Sequence, residues 1–462
     1  MRGRRRKPNP QQGVLPGFGV GPSHAEPGGG AVPPKASSEA RTTAATLMEG
    51  VVEIDNLRQA YRKVRANRGA PGPDGMTVTE LGEWLAVHVE VLRQDLLEGR
   101  YLPQPVRGAA IPKAGGGERM LGIPNVLDRL VQQALLQKLE LTFDPEFSAS
   151  SYGFRPGRSA HDALRAGAAF VREGRVYVVD LDLEKFFDRV NHDVLMSRVA
   201  RRVDDKRVLG LIRRFLTAGL MSHGVCVRRE EGTPQGGPLS PLLANILLDD
   251  MDKELERRGH RFCRYADDLN IYVASPKAGE RVMASVTRFL EQRLKLRVNR
   301  EKSAVDHVSR RKFLGYRILG SDGGLGIHPK SVERFKDKVR ALTRRNRAGE
   351  LPRVVAELNR LFIGWMGYFH LGRAKVLMGE LDSWVRRKFR CLKLKRCKRA
   401  VGIARFLKSR GVAEDASWML AGSGKGWWRF SKTRQAHRAM DTEWFRELGL
   451  TSLLEKWTRL SA

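Results

Sequence analysis

The chain has 462 residues, enough for two or three domains with real cores, and carries 84 Lys and Arg against 51 Asp and Glu, a formal net charge of +33 with a pI near 10.6. Such an excess of cation is hard to reconcile with a small-molecule enzyme, whereas a polyanionic partner accounts for it directly. No apolar run is long enough to span a membrane, the N-terminus lacks the apolar segment of a signal peptide, and Cys226, Cys263, Cys391 and Cys397 lack zinc-site spacing, which reads as a cytoplasmic protein with reduced thiols.

Residues 1–45 are rich in Gly, Pro, Ala and Arg with almost no apolar periodicity, which predicts a disordered basic tail. From residue 47 the pattern LMEGVVEIDNLRQAYRKV predicts a helix leading into the turn-rich loop NRGAPGPDG at 67–75. In AIPKAGGGERMLGIP, residues 110–124, Lys113 and Arg119 bracket a Gly-rich tip that reads as a flexible hairpin, by composition an ordinary basic loop. The run VYVVDLDLEKFFDRVNH, residues 176–192, predicts a strand with Asp180 and Asp182 on one face and Val179, Leu181 and Leu183 on the other. An apolar run that ends in carboxylates needs a compensating charge, since unpaired buried charge is costly.

In EEGTPQGGPLSPLLANILLDDMDKEL, residues 230–255, Ser240 reads as an N-cap with Pro241 at the first helical position, and Leu242, Leu243, Ile246, Leu247 and Met251 supply an apolar face. Gly236 and Gly237 before it permit close backbone approach to a flat ligand such as a base pair, and Gln235 offers both donor and acceptor groups. RYADDLNIY, residues 264–272, predicts a β-hairpin with Asp267 and Asp268 at its tip. Two carboxylates in so small a space repel one another unless cations intervene, and hard divalent ions such as Mg²⁺ take oxygen ligands. Residues 331 to about 405 read as three basic helices in which Trp365, Tyr368 and Phe369 recur with Leu361 and Phe362 at core spacing, and the remainder is small, basic and Trp-bearing.

The order of these segments resembles the bacterial group II intron reverse transcriptases, or maturases, most nearly of the short group IIC type. YADD at 265–268, DLEKFF at 182–187 and TPQGGPLSPLLANI at 233–246 are similar to that family's catalytic turn, third-carboxylate strand and template-holding loop and helix. Further likeness lies in 110–124, in SYGFRPGRSAHDAL at 151–164, in LKLRVNREKSAV at 294–305 and in KFLGYRI at 312–318. The resemblance implies an α/β right-hand polymerase: fingers and palm with an N-terminal extension over 46–325, a helical thumb (the maturase X domain) over 326–405 and a small DNA-binding domain over 406–462.

It implies further that Asp182, Asp267 and Asp268 hold two Mg²⁺ ions, with Mn²⁺ a substitute; Asp180, on the same strand face as Asp182, is a supporting group whose plainer role is to pair with a neighbouring base. On the same footing Lys113, Arg119, Phe187 and Gln235 meet the incoming dNTP, Phe187 excluding a 2′-hydroxyl, while Arg155, Gly236 and Gly237 contact the template. The implied partners are group II intron RNA, an RNA template with a DNA or RNA primer, and target DNA. The implied activity is RNA-directed DNA synthesis with assistance to splicing. The His, Asn and Cys pattern of the endonuclease that many relatives carry is not found after residue 406, so the expectation is no self-made nick in the target. Two other readings are a free-standing relative in DNA repair or phage defence and, in another class, an RNA-binding splicing factor with a vestigial polymerase.

Overall fold

The structure is a computed structural model that describes residues 47–112, 118–222, 225–227, 231–233, 236–344 and 350–461. The expected basic tail therefore lies outside the described residues. The described residues form two compact units, 47–163 with Val179–Val305, and Leu164–Val178 with 306–461.

The first unit opens with three helices, α1 (Leu47–Val52), α2 (Ile54–Ala66) and α3 (Val78–Leu97). A capping box starts α3: Thr77 Oγ1 accepts from the Glu80 amide, and the Glu80 carboxylate accepts from the Thr77 amide at 2.7 Å. The expected hairpin follows as β1 (Val106–Pro112) and β2 (Glu118–Ile123), antiparallel, and then α4 (Val126–Phe143), whose Leu130, Val131, Ala134, Leu135 and Leu139 are fully buried. Next in the chain come α5 (Ala160–Arg172), most of which belongs to the second unit, β3 (Tyr177–Leu181), whose last three residues belong to the first, α6 (His192–Val199), α7 (Lys206–Thr217), β4 (Leu220–Ser222) and β5 (Val225–Val227). The first unit continues with α8 (Ser240–Arg257), β6 (Arg261–Tyr265), β7 (Asp268–Val273) and α9 (Pro276–Arg293) and ends within β8 (Ala304–His307). Helix α8 begins one residue earlier than the capping pattern suggests: Leu239 is the N-cap, without a side-chain bond, and Ser240 is already helical.

These strands make two four-stranded sheets, ordered β2-β1-β4-β5 and β6-β7-β3-β8. In the second, Tyr265 pairs with Asp268 and Arg264 with Leu269. Strand periodicity then puts Asp268, Asn270 and Tyr272 on one face and Leu269, Ile271 and Val273 on the other, together with Arg264. The second face is the one that α8 and α9 cover, because Arg264 bonds to Asn245 and Asp252 of α8 and a Cβ on Gly279 of α9 would touch Val273 and Val305.

The second unit carries a short hairpin, β9 (Tyr316–Ile318) and β10 (Leu325–Ile327), then α10 (Pro329–Leu342), α11 (Leu351–Phe369) and α12 (Lys375–Arg396), and six short helices between Ala400 and Ser461. Phe335, Phe362, Met366 and Phe389 share one core with Leu407, Phe430, Trp444 and Leu453, so the expected division at 405/406 is not a division of the core. The Asp382 carboxylate of α12 accepts from Ser452 Oγ and from the Leu453 and Leu454 amides, capping the last helix across 70 residues of chain. Trp365 packs with its ring centroid 4.4 Å from that of Phe335, tilted by 33°, and the Tyr368 hydroxyl donates to Leu314 O at 2.8 Å, the packing role that helical spacing predicted.

Candidate active site

The YADD segment is a two-residue hairpin turn with Ala266 and Asp267 at its centre. Of the two, Ala266 alone has a positive φ, +57°, the pattern of a type II′ turn in which glycine is the usual first central residue. The strain of an alanine there is met by packing from beneath. Gly153 passes so close that a Cβ on it would stand 2.3 Å from Ala266 N, and the Gly153 carbonyl accepts from Asn245 Nδ2 at 2.9 Å.

Arg264, wholly buried, holds this arrangement. Its Nη1 donates to Asn245 Oδ1 and to the Ala266 carbonyl, both at 2.9 Å, its Nη2 donates to Ser151 Oγ at 2.8 Å and to Asp252 Oδ2 at 2.5 Å, and its Nε donates to the same carboxylate. All five N–H groups are thereby satisfied inside the protein. Burial pushes the Asp252 carboxyl above its ordinary range even with the guanidinium beside it. The result is a turn whose backbone is fixed from the α8 side while Asp268 is exposed and Asp267 half-exposed.

Asp182 leaves the end of β3, the strand beside β7. The 294–305 segment pins its backbone: the Asp182 amide donates to Ser303 Oγ at 3.0 Å, its carbonyl accepts from the Asn299 amide at 2.8 Å, and Glu184 donates to Arg297 O. Its carboxylate is open, with the Lys302 ammonium 3.7 Å from Oδ2. Asp180, two residues earlier on the same face, accepts at 3.3 Å from Asn270 when that amide is oriented nitrogen-first.

Phe187 stands in the 3-10 turn Phe186–Asp188, beyond Lys185, which has a left-handed backbone. Phe186 is 3 % exposed, while Phe187 is only half-buried and its carbonyl accepts from the Thr233 amide. Phe187, Gly236, Gly237, Phe154 and Arg129 line one cleft of about 560 Å³. The two glycines serve packing as well. A Cβ on Gly236 (φ +140°) would meet Gly122 O at 2.5 Å, and one on Gly237 would meet Gln132 Oε1 at 2.1 Å, so their close approach is to β2 and α4 as much as to any ligand in the cleft.

Arg155 corrects an expectation. Its side chain is 5 % exposed and donates to the Asp144 carboxylate at 2.6 Å and to the carbonyls of Asp144, Ser148 and Ser151, so it braces a loop and is not available to a template. The neighbouring Phe154, passed over in the sequence, is 52 % exposed at φ +57° and presents its ring to the cleft, 6.4 Å from Tyr265. Lys113, Gln235 and the side chain of Arg119 lie outside the described residues. Sequence reading also missed the Ser151, Asn245, Asp252 and Arg264 network and the backbone anchor Ser303. A signal existed for part of it, since Asn245 and Asp252 are polar residues seven apart on a helix face that is otherwise apolar.

Residues 111–318 match the reverse transcriptase (RNA-dependent DNA polymerase) family, and residues 332–410 match the group II intron maturase-specific domain. Protein YkfC of Escherichia coli K12 is 36 % identical over 315 residues, 59 % of this chain and 82 % of the relative. The chain belongs to the group II intron reverse transcriptases. Another relative, the group II intron-encoded protein LtrA of Lactococcus lactis subsp. cremoris, is 30 % identical over 327 residues, 56 % of this chain and 54 % of LtrA, so the chain spans about half of LtrA's length. Among solved structures, a Candida albicans telomerase is similar with a TM-score of 0.39 at 14 % identity, covering 63 % of this chain and 59 % of that one. As a group II intron reverse transcriptase the protein is an RNA-directed DNA polymerase, a class that works with divalent metal, and it carries a maturase domain. No helix among the described residues is long and apolar enough to cross a membrane.

Proposed function

We propose that this group II intron reverse transcriptase binds its intron RNA, assists its splicing, and copies the intron into DNA at a target site, with Asp182, Asp267 and Asp268 as the polymerase carboxylates. The supporting observation is the placement of these three acids. Asp182 ends β3, Asp267 and Asp268 turn into the neighbouring β7, and the backbone of both segments is held by hydrogen bonds from elsewhere in the unit.

Among the described residues no group of three or more His, Cys, Asp and Glu side chains is gathered so as to hold a metal ion by itself. Mg²⁺ is commonly bound by one or two carboxylates together with substrate phosphates. Carboxylate oxygens are hard donors of the kind Mg²⁺ takes, and Asp182, Asp267 and Asp268 would hold the ions. Two such ions, when bound, lower the pKa of an attacking hydroxyl and neutralise charge on the leaving oxygens of an in-line displacement.

The chain's own contribution is positioning. The buried Arg264 network keeps the YADD backbone from yielding when its two carboxylates repel, and Ser303 and Asn299 hold Asp182 at the strand end. Phe187 offers its ring to the sugar of a dNTP in the cleft, leaving no room and no hydrogen-bond partner for a 2′-hydroxyl. Gly236 and Gly237 keep the opposite wall low enough for a template base. Lys113, Arg119 and Gln235 complete the dNTP contacts in this reading, the cations by charge and fork geometry toward the triphosphate. Relatives named for the introns that encode them favour this role over repair or phage defence. The adjacent, self-repelling Asp267 and Asp268 on so costly a brace, with Asp182 retained beside them in the family's pattern, argue against a vestigial polymerase.

Primer extension on an RNA template, paired with filter binding of intron RNA on one preparation, tests the assignment. Asp267→Ala should lower DNA synthesis by about 10³-fold or more while RNA affinity stays within about twofold, because metal ligation is worth several kcal/mol to the transition state and contributes little to phosphate contact. Extension near the wild-type rate would reject the site.

A further inference from the structure

A basic surface lies on the other side of the sheet from Asp268. Helices α8 and α9, with α6 beside them, border a cleft of about 690 Å³ lined by seven cations and two carboxylates. The two carboxylates are each shared between arginines. Asp250 accepts from Arg198 at 3.0 Å and from Arg201 at 2.6 Å, and Glu254 accepts from Arg257 at 2.7 Å and Arg258 at 2.6 Å. Arg258 is steadied further by Ser285 Oγ at 3.1 Å. The paired arginines hold the Glu254 carboxyl down to about 2, so it is ionised at any ordinary pH.

This is not a self-neutralised ion-pair patch. Seven cations less two carboxylates leave an excess of five, or four when Asp249, the 2.5 Å partner of Lys253, is included. Arg288 and Arg293 of α9 make no hydrogen bond or ion pair among the described residues. Sharing one carboxylate between two guanidinium groups orients both forks while leaving each with unused N–H groups, an arrangement that suits successive phosphates of a backbone better than a single small anion. The place of the cleft matters as much as its charge. Both α8 and α9 cover the face carrying Leu269, Ile271 and Val273, whereas Asp268 and Asn270 point the other way. A strand lying in this cleft is therefore not the strand being copied.

We infer that the α6–α8–α9 cleft is a second nucleic-acid site that grips the phosphate backbone of a folded RNA while the carboxylate side remains open to a primer and template. This rests on the reading that the chain binds a structured RNA, since a polymerase whose partner RNA is also its template needs one hold that copying does not displace. Base identity plays no part in it, because the lining offers charge and forks and almost no aromatic surface.

The test uses the full chain pre-bound to a primer–template duplex, with a fully base-paired RNA hairpin as the probe and a DNA hairpin of the same sequence beside it. Arg288→Gln combined with Arg293→Gln should weaken RNA-hairpin binding about tenfold and flatten its log–log salt dependence by about two phosphates' worth, at roughly 0.7 to 0.9 per contact. Primer extension on a short template should remain at the wild-type rate, which also reports that the variant is folded. Arg288→Lys with Arg293→Lys should keep the wild-type salt slope; a loss as large as that of the Gln pair would point to shape rather than charge and overturn the proposal. Unchanged RNA affinity in the Gln variant overturns it too, leaving an acidic protein or solvent as the occupant, and so does a loss confined to the DNA hairpin. Should the wild-type chain make no DNA at all, the polymerase reading fails while the hairpin comparison still decides this one.

Discussion

Two sets of arginine–carboxylate pairs flank the same helix, α8, and they do opposite things. Arg264 and Asp252 are both 0 % exposed, and every donor of the guanidinium is engaged inside the protein. Glu254, on the same helix just beyond Asp252, and its partner Arg257 keep 19 % and 71 % of their side-chain surface. The residue types are the same, so composition cannot tell brace from binding surface. Burial decides it: in low dielectric a guanidinium must satisfy all its donors or be expelled, whereas in water its pairing is weak and its remaining donors can be offered to a ligand.

The comparison is broken most directly at Arg264. Arg264→Ala should cost about 3–5 kcal/mol of unfolding free energy, because it strands Asp252 without its partner, and primer extension should fall with it as the YADD turn loses its support. Chemical denaturation and extension rates measured together check this; a loss under about 1 kcal/mol would mean the network is not the brace described.

Asp128 gives the intermediate case, a buried carboxylate with no ion pair among the described residues. It accepts from the Tyr101 hydroxyl at 2.7 Å and from the Gln104 amide, yet burial, its largest influence, pushes its carboxyl up to about 6 from 3.8. Since the folded state then holds the proton more tightly than the unfolded chain, stability should fall as pH rises from about 4 to 6 and stay lower above that. The loss is on the order of 3 kcal/mol, two pKa units at 1.36 each. Asp128→Asn should flatten that slope and raise the melting temperature at pH 7; an unaltered pH profile would place the proton elsewhere.

Phe187 tests the half-buried regime. If its ring meets the sugar, Phe187→Ala should raise the ribo- to deoxynucleotide ratio of kcat/KM opposite one template base by about tenfold, roughly 1.4 kcal/mol of lost discrimination. An equal slowing of both nucleotides together with lowered stability would make the ring a core residue only. The smallest effect belongs to Glu254→Gln on the exposed side. Thermal melting should not move measurably, while affinity for the RNA hairpin at low salt should rise about twofold because a competing carboxylate is gone. A clear drop in melting temperature would erase the distinction between the two pairs.

The sequence by itself determined the class of the protein and its activity as an RNA-directed DNA polymerase. Period-two and helical patterns around Asp182, Ser240 and the YADD hairpin are local, and their order along the chain identified the family, because alternation of apolar and polar residues is set by backbone geometry that neighbours share. The structure alone decided which residues line the cleft and which face the core. Arg155 and Phe154 adjoin in sequence, yet the arginine turned inward to satisfy carbonyls of its own loop and the phenylalanine turned outward. Arg264, Asn245, Asp252 and Ser151 are separated by up to 113 residues, and nothing in their local patterns brings them together. Likewise, the thumb and the residues after 405 read as two pieces by composition but form one core, because long-range burial and the Asp382 cap depend on contacts that no short window of sequence contains.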